Sequence, residues 1–243
     1  GYTPAEIITV ASTTKVFNGL NLNSPMSIIQ LIMSKIKDVI SNMGIWQHDI
    51  ITTPLEQLIT DRMGYVPTLL ELFYYSRKRL DIVSYCLQTK RKVVFNHLTH
   101  PQMLCTDAVV CSCTIPIIFG RKCIDHKYYI DGYFADPYPI ADYDDGNNRI
   151  LGMYIHGQYD CDTLPGYLLT AFTSYQHMAV ENAVANSSMM VSSIQLKDTA
   201  NAVDTIEVGR QDVLVAAGAQ AALNFLEHTA NGITTKIYNG PTS

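Results

Sequence analysis

The stretch Thr106–Ile140, TDAVVCSCTIPIIFGRKCIDHKYYIDGYFADPYPI, decides how the chain reads. Thr106 to Cys113 is expected to form a short helix of small residues, stopped before Pro116 because proline has no amide to continue it. Tyr128-Tyr129-Ile130 then reads as a strand that runs straight into Asp131-Gly132. Glycine adopts backbone shapes that other residues resist, so the strand is expected to end in a sharp turn with Asp131 at its tip. Open α/β sheets hold ligands at the ends of their strands. A carboxylate presented there by a rigid strand is a candidate base or orienting group. An aspartate that only caps the turn explains the same residues, and this stretch alone leaves both readings open.

Outward from this stretch, helices and strands alternate. Thr3-Pro4-Ala5-Glu6 has the form of a helix start, with Thr3 as cap, proline at the first position and Glu6 closing the capping box. From Met26 to Met43 the apolar residues Ile28, Ile29, Ile32, Ile36, Val39, Ile40 and Met43 recur with a helical period and predict a core-facing helix. Thr53-Pro54-Leu55-Glu56 predicts a second helix ending at Gly64, and Thr68-Leu69-Leu70-Glu71 a third that reaches about Tyr75. Leu80–Leu87 and Lys92–Asn96 read as strands of a hairpin joined through Gln88–Arg91. Towards the C-terminus come a buried strand over Ile150–Ile155, a helix over Pro165–Met190, a strand over Val191–Leu196 and a helix over Asp212–His228. This order predicts an α/β layer structure with a sheet covered on both faces.

Composition sets the outer bounds. The 243 residues are 47% hydrophobic and 16% charged, enough apolar surface for one large core. A net charge of −5 argues against a nucleic-acid partner, which needs a basic field. The run Val213–Phe225 is too short to span a bilayer and is broken by Gln220 and Asn224, so no transmembrane segment is expected. Gly1–Lys15 has no signal-peptide pattern. The six cysteines lack a C-x-x-C pair and read as small buried thiols of a reducing, intracellular compartment, with no metal or cofactor expected. Each of the seven histidines reads as a surface or turn residue, His156 being the most notable because it follows a buried strand. Arg77-Lys78-Arg79 is expected to solvate a helix end, with weak contact to anionic lipid headgroups as the sharper reading.

The Thr106–Ile140 stretch resembles the second half of a patatin-like phospholipase domain. Asp107-Ala108-Val109, Ser112, Pro116 and Phe119 fit the family's first block, and Asp131-Gly132, Asp136, Pro139 and Ile140 fit its Asp-Gly block. Gly1-Tyr2-Thr3-Pro4-Ala5-Glu6-Ile7 is similar to the segment after the family's nucleophile helix, and Pro54–Leu72, Lys92–Phe95 and Gly218–Leu226 add to the likeness. The resemblance implies a three-layer fold with a mostly parallel central sheet and one domain over residues 1–243. It also implies a lipid acyl hydrolase working through a Ser–Asp dyad, with Asp131 as the dyad carboxylate and Gly132 shaping its turn. The substrate would be a lipid acyl ester at a membrane or micelle surface, reached by a membrane-peripheral protein.

The sequence departs from that pattern. It contains no G-x-S-x-G and no glycine-rich oxyanion loop. Ser112 matches a structural serine of the family, and Ser12, Ser24 and Ser84 have no elbow around them. By the resemblance both missing elements would precede Gly1, leaving the domain N-terminally incomplete and its sheet without its first strands. An upstream segment or a partner chain would then complete the sheet. Tyr133 stands where the family has a second glycine, which favours the competing expectation: an inactive interaction or assembly protein on the same scaffold, with Tyr133 on the rim. Tyr128, Tyr129, Tyr133 and Tyr138 crowd this turn as core or lipid-contacting aromatics.

Overall fold

The computed structural model describes Thr3, Glu6 and residues 35–157, 161–162, 164–198, 211–230 and 237–239. They fall into two compact units, the first ending at Asp136 and the second beginning at Pro137. Helices and strands are mixed throughout, and the α/β class read from the sequence is the class observed. Parallel pairs and antiparallel pairs lie in separate sheets.

In the first unit, α1 (Ile36–Asn42) leads to β1 (Gly44–Trp46), α2 (Asp49–Met63) and α3 (Leu69–Ser76). Then follow β2 (Ile82–Cys86), β3 (Arg91–Phe95), α4 (Cys105–Cys113), β4 (Ile117–Phe119), β5 (Lys122–Ile124) and β6 (Lys127–Asp131). β1 pairs with β4 in parallel. The hairpin read from Leu80 to Asn96 is present as β2 and β3, and the four-stranded antiparallel sheet runs β3-β2-β6-β5. On β2, alternate residues Ile82, Ser84 and Cys86 point into the core, as the period of a strand dictates. Phe95, Cys105, Ala108, Cys111, Tyr129 and Leu69 join Ile82 and Cys86 in that core. Phe95 is its hub, with the rings of His100 and Tyr129 meeting it edge-on at 4.8 and 5.2 Å.

Capping explains the helix ends better than apolar period does. Thr68 Oγ1 accepts the Glu71 amide at 3.2 Å while Glu71 Oε2 accepts the Thr68 amide at 2.8 Å, so the box starts α3 where the sequence places it. Thr3 and Glu6 make the same reciprocal bonds, at 2.7 and 3.3 Å. Those bonds, with Arg62, hold the Glu6 carboxyl down at about 2.

The second expected box does not form. α2 begins at Asp49, one turn before Thr53, and Pro54 lies inside it. The Ile51 and Thr52 amides already end on the His48 carbonyl at 2.9 and 2.8 Å, which starts the helix there. Pro54 so near that start forfeits a single backbone bond. Gly64, at φ 81°, ends α2 as expected and returns its amide to Thr60. For the helix expected over Met26–Met43, residues before 35 lie outside the described ones. Within the described part, Ile36, Ile40 and Met43 are exposed, not core-facing. Their period puts them on one face, but among the described residues α1 packs chiefly on three-residue β1, too short to cover it.

In the second unit, β7 (Ile150–Gly157), α5 (Leu164–Asn186), β8 (Val191–Asp198), α6 (Gln211–Ala230) and β9 (Ile237–Asn239) alternate, and the three strands pair in parallel in the order β7-β8-β9. Tyr138, Ile140, Val180, Val184 and Val191 form its core. Gly152 admits the Tyr138 ring, whose hydroxyl occupies the space a Cβ would fill and lies 2.8 Å from Ser193 Oγ. β7 is not the fully buried strand expected: Leu151, Met153 and Ile155 are exposed while Gly152 is buried. The short apolar run hid a strand that alternates between two faces.

Replacing Thr68 by Ala should remove the α3 cap and cost about 1 kcal/mol, read as a shift in the urea midpoint with an unchanged slope.

Candidate active site

Asp131 is the last residue of β6 and caps the single 3-10 turn Gly132–Phe134. Its backbone is fixed twice, since it stands opposite Ser84 in the β2–β6 register and its amide donates to the Thr114 carbonyl at 2.9 Å. Its Oδ1 accepts the Tyr133 amide at 2.7 Å, while Oδ2 accepts no hydrogen bond from the described residues. Burial pushes the half-buried carboxyl above the ordinary aspartate range, and the Tyr133 amide offsets this only in part. The same burial, with the Asp131 charge second, pushes the neighbouring Cys113 thiol up.

Gly132 is required here for a reason other than the one the sequence suggests. Its φ lies outside the left-handed region, where only Gly64 and Gly146 are found among the described glycines. A Cβ on Gly132 would instead run into the Val83 carbonyl on β2. Glycine is needed for close approach of two backbones.

Tyr133 is half-buried, its ring meeting Phe134 edge-on at 6.4 Å. Tyr129 and Tyr138 are core residues of different units, and Tyr128 lies under the Arg121 guanidinium at 4.1 Å. Asp107 and Asp136, both in the blocks read from the sequence, are engaged by Lys122 at 2.7 Å and Lys92 at 2.9 Å.

Ser84 is directly opposite Asp131, yet its buried hydroxyl is committed to the Ile130 carbonyl at 2.7 Å and the Cys111 carbonyl at 3.2 Å. No serine hydroxyl among the described residues hydrogen-bonds Asp131; Ser12 and Ser24 lie outside them. Cys86, Cys105 and Cys111 are buried as expected, whereas Cys123 and Cys161 are exposed because each sits at an open edge or turn. No group of three His, Cys, Asp or Glu among the described residues could hold a metal ion. The side chain of His156 lies outside them.

One residue of the site was not legible. His48, read as a surface or turn histidine, is partly buried at the start of α2 and stacks on Phe119 at 6.3 Å. Its Nε2 is 3.2 Å from Thr114 Oγ1. The Thr114 hydroxyl also lies 2.6 Å from the Val110 carbonyl, so it bridges His48 to α4, and the direction of the His48–Thr114 bond follows the imidazole tautomer. Burial and the Lys122 charge hold the His48 imidazolium below the ordinary histidine range, against the Gly120 carbonyl and Asp49. His48 thus buttresses the residue whose carbonyl fixes Asp131. The two lie 66 positions apart, and no local pattern announces the pair.

An acidic group held at a strand end, half out of water and with one oxygen uncommitted, defines a site suited to general-base chemistry. The family model for patatin-like phospholipase matches residues 9–143, more than half of the chain and inclusive of this site, and the chain belongs to that family of lipid hydrolases. A search of the curated proteins gave no match.

Gly132→Ala should destabilise by about 3 kcal/mol, because the Val83 backbone on β2 leaves no room for the added methyl; thermal unfolding reads it. The raised Asp131 pKa has a definite sign. A carboxyl that holds its proton more tightly folded than unfolded adds stability that is complete below the unfolded pKa and lost as pH rises through the folded one. Asp131→Asn keeps the acceptor for the Tyr133 amide, so it should raise the melting temperature at neutral pH. That gain should vanish below about pH 4.

Proposed function

We propose that this chain contributes the carboxylate half of a Ser–Asp dyad that hydrolyses lipid acyl esters of the phospholipid or acylglycerol type. In this reading Asp131 takes the proton of a serine hydroxyl as it attacks the ester carbonyl, then returns it to the leaving alcohol. Water repeats the cycle on the acyl-serine. The serine and the oxyanion donors come from polypeptide outside these 243 residues, which with residues 1–243 makes up one patatin-like domain.

The observation that carries the reading is the way Asp131 is held. An ordinary carboxylate is a weak base for a hydroxyl. Burial raises its basicity, the Tyr133 amide fixes its rotation, and Oδ2 is left for the incoming proton. The two-stranded β1·β4 sheet supports a completing segment or partner, since each strand has an unpaired edge among the described residues and two strands alone are marginal. No helix of the described residues is long and apolar enough to cross a membrane, so the lipid would be met at a surface.

A second reading, a non-catalytic assembly protein, is favoured by Tyr133 at the position of the family's second glycine and by the missing elbow. One experiment separates the two. Native material is treated with a fluorophosphonate probe, and turnover of a fluorescent acyl ester is followed in wild type and Asp131→Asn. The catalytic reading expects a labelled serine on this polypeptide or a companion, and a loss of about a thousandfold in turnover on substitution. No labelling at all would establish the assembly reading instead.

A further inference from the structure

The end of α3 faces water with an unusual combination of groups. Tyr74 and Tyr75 are 58% and 61% exposed, Arg77 and Lys78 follow, and Leu80 is exposed after them. Beside them Leu98 is 70% exposed, and the adjoining His97 ring lies flat on Phe73 of α3 at 3.8 Å. Neither Arg77 nor Lys78 has a carboxylate partner among the described residues; Arg77 instead lies over the Tyr74 ring at 5.7 Å.

This rim is held, not frayed. The buried Asn96 side chain accepts the Leu98 and Thr99 amides, both at 2.9 Å, and donates to Asp81 at 2.8 Å. Asp81 in turn pairs with Arg79 at 2.9 Å. The network ties the Leu98 loop to the turn after α3 and keeps a leucine in water at a fixed place. Arg77 also occupies the left-handed position that ends α3, at φ 56°, where glycine is the favoured residue. A cation stands there at a conformational cost.

We propose that this rim is a docking surface for an anionic phospholipid layer, with Arg77 and Lys78 on the headgroups and Leu98, Leu80 and the tyrosines at the acyl boundary. Charge complementarity names the occupant: two unpaired cations stand among exposed apolar and phenolic side chains, in a chain whose net charge of −5 would otherwise repel such a layer. The surface extends the lipid-directed reading above and rests on it only for the choice of lipid, not on Asp131.

The test is co-flotation of the full chain with phosphatidylcholine–phosphatidylglycerol vesicles and with pure phosphatidylcholine vesicles. Binding is expected to the anionic vesicles alone and to be lost in molar salt. Arg77→Gly and Lys78→Ala should each weaken it about fivefold, and Leu98→Ser should weaken it as well. Arg77→Gly relieves the left-handed position, so it should melt no lower than wild type, and its loss of binding cannot be misfolding. Asp131→Asn should float as wild type does, so vesicle binding without turnover leaves the rim standing whatever becomes of the dyad. The proposal is overturned if wild type does not bind anionic vesicles, or if it binds both kinds equally. It is also overturned if the Arg77→Gly, Lys78→Ala double variant binds unchanged, or if an acidic peptide holds the rim and vesicles fail to displace it, which would mark a protein partner.

Discussion

The site depends on how closely β6 can turn against β2. Gly132 brings its Cα onto the Val83 carbonyl, a distance at which no side chain fits. The ladder therefore runs to Asp131, opposite Ser84, and the chain turns at the next residue. Only that immediate turn returns the Tyr133 amide to Oδ1. A slip of one residue would send the carboxylate to the other face of the sheet, because side chains alternate along a strand. One missing methyl group sets both the position and the orientation of the acid.

The surroundings then keep that acid basic. Two lysines of this unit are engaged by carboxylates elsewhere, Lys122 by Asp107 and Lys92 by Asp136. Neither figures among the forces on Asp131, where burial leads and one amide opposes it. The hydroxyls closest along the backbone are likewise committed, Ser84 to two carbonyls and Thr114 to Val110. The second carboxylate oxygen, Oδ2, accepts no hydrogen bond from the described residues. Holding a charge half out of water lowers stability.

Sequence reading succeeded where the physics is local and failed where it is not. Both true capping boxes were legible because cap and closing glutamate lie three residues apart. The Asp131-Gly132 turn was legible as a turn, yet the need for glycine lies across the sheet at Val83 and so was misattributed to backbone freedom. Thr53-Pro54-Leu55-Glu56 had the letters of a box, but His48 had already begun the helix. The apolar period from Ile36 to Met43 places residues on one side of a helix and says nothing about what covers that side. His48 joins Thr114 through tertiary contact alone, and the three-residue strands β1, β4 and β5 are too short for any period to show.

The lipid-docking rim and the acid are linked by one strand. Leu80 and Asp81 lead directly into β2, whose third residue, Ser84, stands opposite Asp131. Four residues of extended chain span at most about 14 Å, and paired strands lie about 5 Å apart. A lipid layer seated on Leu80 thus lies within a phospholipid's own length of the carboxylate. β2 is the central strand that β3 and β6 both pair with, so the run from Ile82 to Ser84 is held beside Asp131 by backbone hydrogen bonds. A base of modest strength acts best when its partner arrives in one geometry.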